Sequence, residues 1–268
     1  MTSPPFRRYL DKPYPLVSGE IRKSMVRAMS DYQMIEEGDR VLAAVSGGKD
    51  STAMLIHMKE IERRANVSFT VDALLIDQKQ PWFDPAPYIS WMAARGFTVK
   101  IIEDPIFDVA LKKTRPGKSL CRICSRLRRG ALYTYAEKNG YSKIALGHHR
   151  DDINETLLLN LFFAGRLAAM PPKLFSDNGK HVVIRPMCYV EEKKIISFKN
   201  ALGIPVVTCD SCSAREKGKR EEMKILLENL ENQYPGLQAT LFKSLQQVRT
   251  SQLMDRELFD FHSILPRY

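Results

Sequence analysis

Val41-Leu42-Ala43-Ala44-Val45-Ser46-Gly47-Gly48-Lys49-Asp50-Ser51 is the stretch that decides the fold of this chain. Five apolar residues run into two glycines, and a helical pattern then continues through Met54, Leu55 and Met58. A strand that turns through Gly-Gly into a helix N-terminus makes an anion site. Backbone N–H groups converge there, and the helix dipole favours negative charge. Two glycines let the backbone approach a phosphate closely. Lys49 and the Ser46 and Ser51 hydroxyls add donors, and the Asp50 carboxylate suits Mg²⁺. The pattern G-x-x-x-x-G-K-[ST] is absent, so this is not a Walker A loop.

Outward from this stretch, strands and helices alternate. Residues 40–45, 71–76, 98–102, 143–146 and 182–184 read as strands, and residues 204–207 as strand-like. Residues 52–64, 87–95, 123–139, 153–163 and 191–202 read as helices, with stops at Gly96 and Gly140. The βαβα order predicts an α/β fold, a doubly wound parallel sheet with helices on both faces. Ligands of such sheets bind beyond the strand C-termini. The Gly-Gly loop, Asp77 and the run Gly147-His148-His149-Arg150-Asp151-Asp152 all fall on that rim, which predicts one shared site. Residues 20–35 predict an N-terminal helix with a basic face. After Cys212 the composition turns to Lys, Arg, Glu and Gln, and residues 223–230 and 237–248 predict a helical C-terminal appendage broken at Pro235-Gly236. The expected division is an N-terminal segment over 1–39, a nucleotide-binding domain over 40–212 and a helical region over 213–268. Whether residues 104–120 fold over the site is not settled by the sequence.

A chain of 268 residues is long enough for one large core. Its composition, 44% hydrophobic and 27% charged, is that of a soluble globular protein. No apolar run approaches the roughly 20 residues that span a bilayer. The first residues carry Arg7, Arg8 and prolines instead of an apolar core, which argues against a secretory signal and for the cytoplasm. The net charge of +10 points to a polyanionic partner, most simply nucleic acid.

Four of the five cysteines form two Cys-x-x-Cys pairs, Cys121/Cys124 and Cys209/Cys212. In a reducing compartment such pairs read as metal or redox chemistry. Spacing alone leaves three uses open: a structural Cys₄ zinc site, the commonest; an iron–sulfur cluster; or a redox dithiol. Cys121 and Cys124 open a helix, where the dipole and Arg122, Arg126, Arg128 and Arg129 favour thiolates. Cys188, beside Met187 and Tyr189, reads as a core residue. His148 and His149 are adjacent at a strand end and should diverge. Asp151 could serve as the N-cap of the helix that follows it. Arg126, Arg128, Arg129, Lys217, Lys219 and Arg220 are candidates for phosphate contacts.

The motifs carry a resemblance. SGGKDS looks like the PP-loop of ATP pyrophosphatases, which split ATP into AMP and pyrophosphate. Five further segments stand with it in one order. They are residues 75–81 (LIDQKQP), residues 121–130 (CRICSRLRRG), residues 144–152 (IALGHHRDD), Met170-Pro171-Pro172-Lys173-Leu174 and the Cys209/Cys212 pair. Together they resemble the tRNA 2-thiocytidine synthetase family, TtcA-like, over nearly the whole chain.

The resemblance implies an enzyme that thiolates cytidine 32 in the anticodon loop of tRNA through an adenylated base, with ATP, Mg²⁺ and an oxygen-sensitive [4Fe–4S] cluster. Three cysteines hold that cluster and leave one iron open. Cys121, Cys124 and Cys212 are the matching ligands, with Cys209 at an adjacent matching position. Lys49, Asp50 and Asp151 are implied as catalytic. Ser46, Gly47, Gly48, Lys49, Asp50, Ser51, Asp77, Gly147 and Asp152 are implied around the nucleotide. A sulfur donor such as a cysteine desulfurase and a homodimer follow from the family. The rival readings are a tRNA 2-thiouridine synthetase and, from another class, a zinc-bearing RNA-binding protein.

Overall fold

Strand β1 (Asp39–Val45) is apolar throughout because it lies in the middle of the sheet, with helices against both faces. Its side chains alternate. Val41, Ala43 and Val45 pack into one layer and Leu42 into the other. The computed structural model describes residues 16–115, 120–207 and 218–264. Among these, six strands form one sheet in the order β3-β2-β1-β4-β6-β5. β2 is Phe69–Asp77, β3 Val99–Glu103, β4 Lys143–Ala145, β5 Lys173–Phe175 and β6 Val182–Ile184. All neighbours pair in parallel except β5, which runs antiparallel to β6.

One layer is built from α1 (Leu16–Asp31), α2 (Lys49–Glu62), α3 (Ala86–Ala93) and α7 (Glu192–Leu202). Its core joins Ile21, Met25, Met54, Met58, Tyr88, Met92 and Phe198 to the sheet. Helix α1 therefore shares the main core, with its basic residues on the outer side. Inside this layer His57 is fully buried, and its Nδ1 and Nε2 lie 2.8 Å from the Ala53 carbonyl and 3.2 Å from Ser18 Oγ. The opposite layer holds α4 (Ile106–Lys113) and α5 (Leu120–Lys138) against Leu42, Leu74, Ile76 and Ile144. Burying a leucine of this kind contributes about 1.5–3 kcal/mol. Helix α6 (Arg150–Phe163) follows β4, and α8 (Lys219–Gln233) packs on it through Leu158, Met223 and Leu227. Helix α9 (Leu237–Ser244) closes this C-terminal unit, where Asn154 Nδ2 donates to the Gln238 carbonyl at 3.0 Å.

One expectation is corrected. Residues 204–207 form no strand: the segment joins no ladder, and Val207 ties it to the site by donating its N–H to the Gly47 carbonyl at 3.1 Å. Residues 106–113 fold into α4, whose Ile106, Phe107 and Ala110 are buried beneath β2 and α5. Strand β5 was not expected, because a three-residue antiparallel edge strand following Pro171-Pro172 has too short a pattern to read. Cys209, Cys212 and Lys217 lie outside the described residues, as does the expected junction at 212–213.

Candidate active site

The turn after β1 is held open by its own hydroxyls. Ser46 N–H donates to Ser51 Oγ at 3.1 Å, Ser51 Oγ donates to the Gly48 carbonyl at 3.2 Å, and the two serine hydroxyls lie 3.2 Å apart. Gly47 has φ +76°, a left-handed conformation, and an added Cβ would meet Val207 at 3.0 Å. Gly48 is the N-cap of α2 and offers no side chain, so the first amides of the helix stay available to an anion. Thr52 Oγ1 fixes the turn by donating to the Gly48 carbonyl at 2.8 Å, with the buried Tyr88 hydroxyl 3.1 Å away. Burial pushes the Tyr88 phenol up to about 12, so it stays a neutral partner. Gly147 lies against the same helix turn: a Cβ there would stand 2.9 Å from Ser51 Cα and N.

Lys49 Nζ sits between Asp50 at 3.0 Å and Glu192 at 2.8 Å, and Glu192 also accepts from Lys224 at 2.8 Å. Burial opposes the Lys49 charge, but the two carboxylates outweigh it and hold the pKa above its ordinary value. Burial likewise works against the Glu192 anion, yet Lys224 and Lys49 hold its pKa down. Asp50 Oδ1 is buried without a hydrogen bond, although Lys49 Nζ is close in charge terms. His149 Nε2 lies 3.6 Å from that oxygen and 3.4 Å from Asp152 Oδ2. Burial opposes charging His149, but Asp151, Asp152 and Asp50 raise its pKa.

The N-cap of α6 is His149, not Asp151. The Asp152 amide donates to His149 Nδ1 at 3.4 Å, and the His149 amide donates back to Asp152 Oδ2 at 3.0 Å, a reciprocal capping box. Asp151 is released to another task. Its Oδ2 accepts from the Glu192 amide at 2.9 Å and so ties the start of α7 to the start of α6. Burial raises the Asp151 pKa, but the His149 and Glu192 contacts bring it below its ordinary value. The two histidines diverge as expected. His148 turns toward β6, where Arg185 Nε donates to its Nδ1 at 3.3 Å. Asp77 closes a turn at the end of β2, accepting from the Lys79 amide at 2.8 Å.

A cleft of about 890 Å³ opens along the strand C-termini. Asp50 and Ser51 of the loop line it, together with Gly147, His148 and Asp152. Across from them stand Cys121 and Cys124, on the first turns of α5. Gln78 and Gln80, just beyond Asp77, line it too. Asp151 and Lys49 stand behind this wall. Neither Glu192 nor Arg185 carried a sequence signal. Both are single charged residues more than thirty positions from the motif they serve, and only packing brings them in.

Two groups can be tested for fit. A divalent cation suits Asp50, whose buried Oδ1 has the Lys49 ammonium 3.0 Å away but no well-directed hydrogen bond, with Asp152 close by across His149. A thiolate-bound cluster suits Cys121 and Cys124, which face the cleft from one helix end. Cys188 does not join them. It is buried in the main core, and burial pushes its thiol up to about 12. Among the described residues no three metal-binding side chains converge.

Residues 20–225 match the family model of the PP-loop domain. The chain is thus a PP-loop protein, the class its strand, glycine turn and uncapped helix define. Its relatives are more particular. It is 46% identical over 244 residues to the tRNA-cytidine(32) 2-sulfurtransferase of Tolumonas auensis, covering 91% of this chain and 81% of that protein. It is 42% identical to the enzyme of the same name from Bdellovibrio bacteriovorus, covering 91% of this chain and 94% of that protein. The chain belongs to the tRNA-cytidine(32) 2-sulfurtransferase family. Its fold is also that of the U34-tRNA thiolase NcsA from Methanococcus maripaludis, solved with its [4Fe–4S] cluster. The TM-score is 0.67 and the identity 17%, over 87% of this chain and 80% of the other.

Proposed function

We propose that this protein converts cytidine 32 of tRNA to 2-thiocytidine in the cytoplasm, using ATP to activate the base. The observation that carries this reading is the shared cleft: a phosphate loop and a pair of thiols face one another across a space wide enough for a nucleotide and a base. The C2 oxygen of cytosine is a poor leaving group. Its attack on the α-phosphate of ATP forms the O2–P bond and expels pyrophosphate. Sulfur then bonds to C2, and AMP departs with the former O2.

The chain's own groups serve each part. The open amides of α2 and the Lys49 ammonium take up charge on the departing pyrophosphate. Glu192 and Lys224 hold that ammonium in place. Asp50 and Asp152 would hold Mg²⁺, which shields the phosphates. Asp151 does not touch the reacting atoms in this scheme. It positions α7, and through Glu192 it positions Lys49. Cys121 and Cys124, with Cys212, would hold a [4Fe–4S] cluster, which supplies a place to keep sulfur beside the base. Arg128 and Arg129 on the cleft wall meet tRNA phosphates. A sulfur donor such as a cysteine desulfurase and a homodimer complete the reading.

Mass analysis of tRNA nucleosides from cells with and without the protein tests it. Loss of 2-thiocytidine supports the reading. Loss of 2-thiouridine with cytidine 32 unaffected would replace the substrate, and protein carrying zinc without iron would favour a structural metal.

A further inference from the structure

Arg185 is nine-tenths buried and lines the cleft, and among the described residues no carboxylate pairs with it, although Asp152 acts on its charge from further off. Its Nε donates to His148 Nδ1 and its Nη1 to the Pro171 carbonyl. Nη2 makes no hydrogen bond to any described residue. A buried cation is ordinarily paired. Here it is held rigidly by two acceptors, with donor capacity left over on the cleft side.

His148 extends the same surface. Because its Nδ1 accepts from Arg185, the neutral ring carries its proton on Nε2. Burial first, then the Arg185 charge, brings its pKa down to about 4, so the ring is neutral at pH 7. Nε2–H has no partner among the described residues. Arg185 and His148 thus present two donors, Nη2–H and Nε2–H, that no described residue accepts from.

The place of this wall is informative. In the order β1-β4-β6, Arg185 follows β6 and stands two strands from the phosphate loop after β1. His148 follows β4, between the two, so at about 4.8 Å per strand it stands next to the loop with Arg185 one strand beyond. A base whose O2 reaches the ATP α-phosphate therefore has O2 beside His148 and the neighbouring N3 on the Arg185 side. Cytosine offers two acceptors there, O2 and N3. Uracil offers O2 but turns an N3–H donor toward the wall.

We propose that Arg185 and His148 are the specificity-determining residues of the cleft, selecting cytosine over uracil by donating to N3 and O2. This rests on the thiolation reading above. One lone pair of O2 accepts while the other attacks, and N3 remains an acceptor through every stage. Uracil leaves a buried donor facing a donor, a mismatch that a site built for hydrogen bonding rejects strongly.

The test compares kcat/KM for anticodon stem-loop RNAs with cytidine, uridine or 3-deazacytidine at position 32. It uses anaerobically purified holoenzyme, ATP and sulfide. Ratios between substrates cancel any loss of folded protein. The wild type should prefer cytidine to uridine by at least about 100-fold, and to 3-deazacytidine by about tenfold or more. Arg185→Lys and His148→Phe should each narrow the cytidine-to-uridine ratio by about tenfold or more, and the Arg185 variant should become indifferent to 3-deazacytidine. If Arg185→Lys yields no active protein, the ratio in His148→Phe decides. Ratios unchanged from wild type, including equal loss on all substrates as for a phosphate contact, would overturn the proposal. A wild type that thiolates uridine and not cytidine would instead overturn the substrate reading on which it rests.

Discussion

Replacing Gly147 by alanine perturbs the site through sterics alone. The added methyl carbon would stand 2.9 Å from both Ser51 Cα and Ser51 N and 3.2 Å from Asp50 C. These are backbone atoms of the helix turn that offers its amides to phosphate, so no flexible side chain can yield. Either the loop after β4 moves away or the first turn of α2 shifts. Forcing a methyl into packed backbone costs about 1–3 kcal/mol. In a domain of this size that lowers the melting temperature by about 2–4 °C per kcal/mol. The same shift misplaces the amides of Asp50 and Ser51, so ATP affinity should fall by about tenfold or more. Gly130, inside α5 with no atom within 4 Å of its would-be Cβ, is the control. Gly130→Ala should stabilise the protein by about 0.5–1 kcal/mol with ATP affinity unchanged. Differential scanning calorimetry and ATP titration read both effects. A Gly147→Ala protein that melts with the wild type and binds ATP as tightly would refute the close-packing argument.

Lys49→Ala and Glu192→Gln should both suppress ATP-dependent thiolation, the second less completely, with melting temperature within a few degrees of wild type; full activity in Lys49→Ala removes the loop from the chemistry. Cys121→Ala and Cys124→Ala should lose iron and acid-labile sulfide while Cys188→Ala keeps them, read by metal analysis of anaerobic protein, and iron-replete Cys124→Ala would contradict the ligand assignment. Glu155 is buried beside Asp152, and burial, opposed by Arg220, pushes its pKa up to about 7 from an ordinary 4.5. The folded state therefore binds this proton more tightly, so stability is highest below pH 4.5 on this account and falls as pH rises to about 7. Urea melts across that window should show the slope, and Glu155→Gln should flatten it. Binding of tRNA should weaken steeply with salt, and Arg128→Ala should lessen the slope of log K against log salt by about 0.7–0.9 for each phosphate no longer neutralised; an unchanged slope would separate this arginine from the RNA path.

The parts of the site that could be read from the sequence are those compressed into one short run. β1, the glycine turn and α2 are contiguous, so apolar period and turn chemistry speak together. The rim could be read because β1, β2 and β4 each run into polar residues at their C-termini. The capping role of His149 was hidden, since Asp, Ser and Thr are the usual caps and an aspartate stood two residues on. The 204–207 segment misled because it is apolar and β-branched, yet Ile204 packs into the main core and Val207 backs Gly47 while the backbone joins no ladder. Arg185 and Glu192 act at the site through side chains that arrive from other strands and helices, and no local pattern marks such residues.

The chain Lys49–Glu192–Lys224 joins the phosphate loop to helix α8, about 175 residues further along. At a synthesis rate of about 5–20 residues per second, a nascent chain displays its phosphate loop for about 10–30 seconds before those two partners have been made. Until residue 192 is made, the Lys49 ammonium has Asp50 but not Glu192 to orient it. Helix α8 then adds Lys224 to that carboxylate, so termination before residue 192 leaves Lys49 without Glu192, and termination between residues 192 and 224 leaves Glu192 without its second cation.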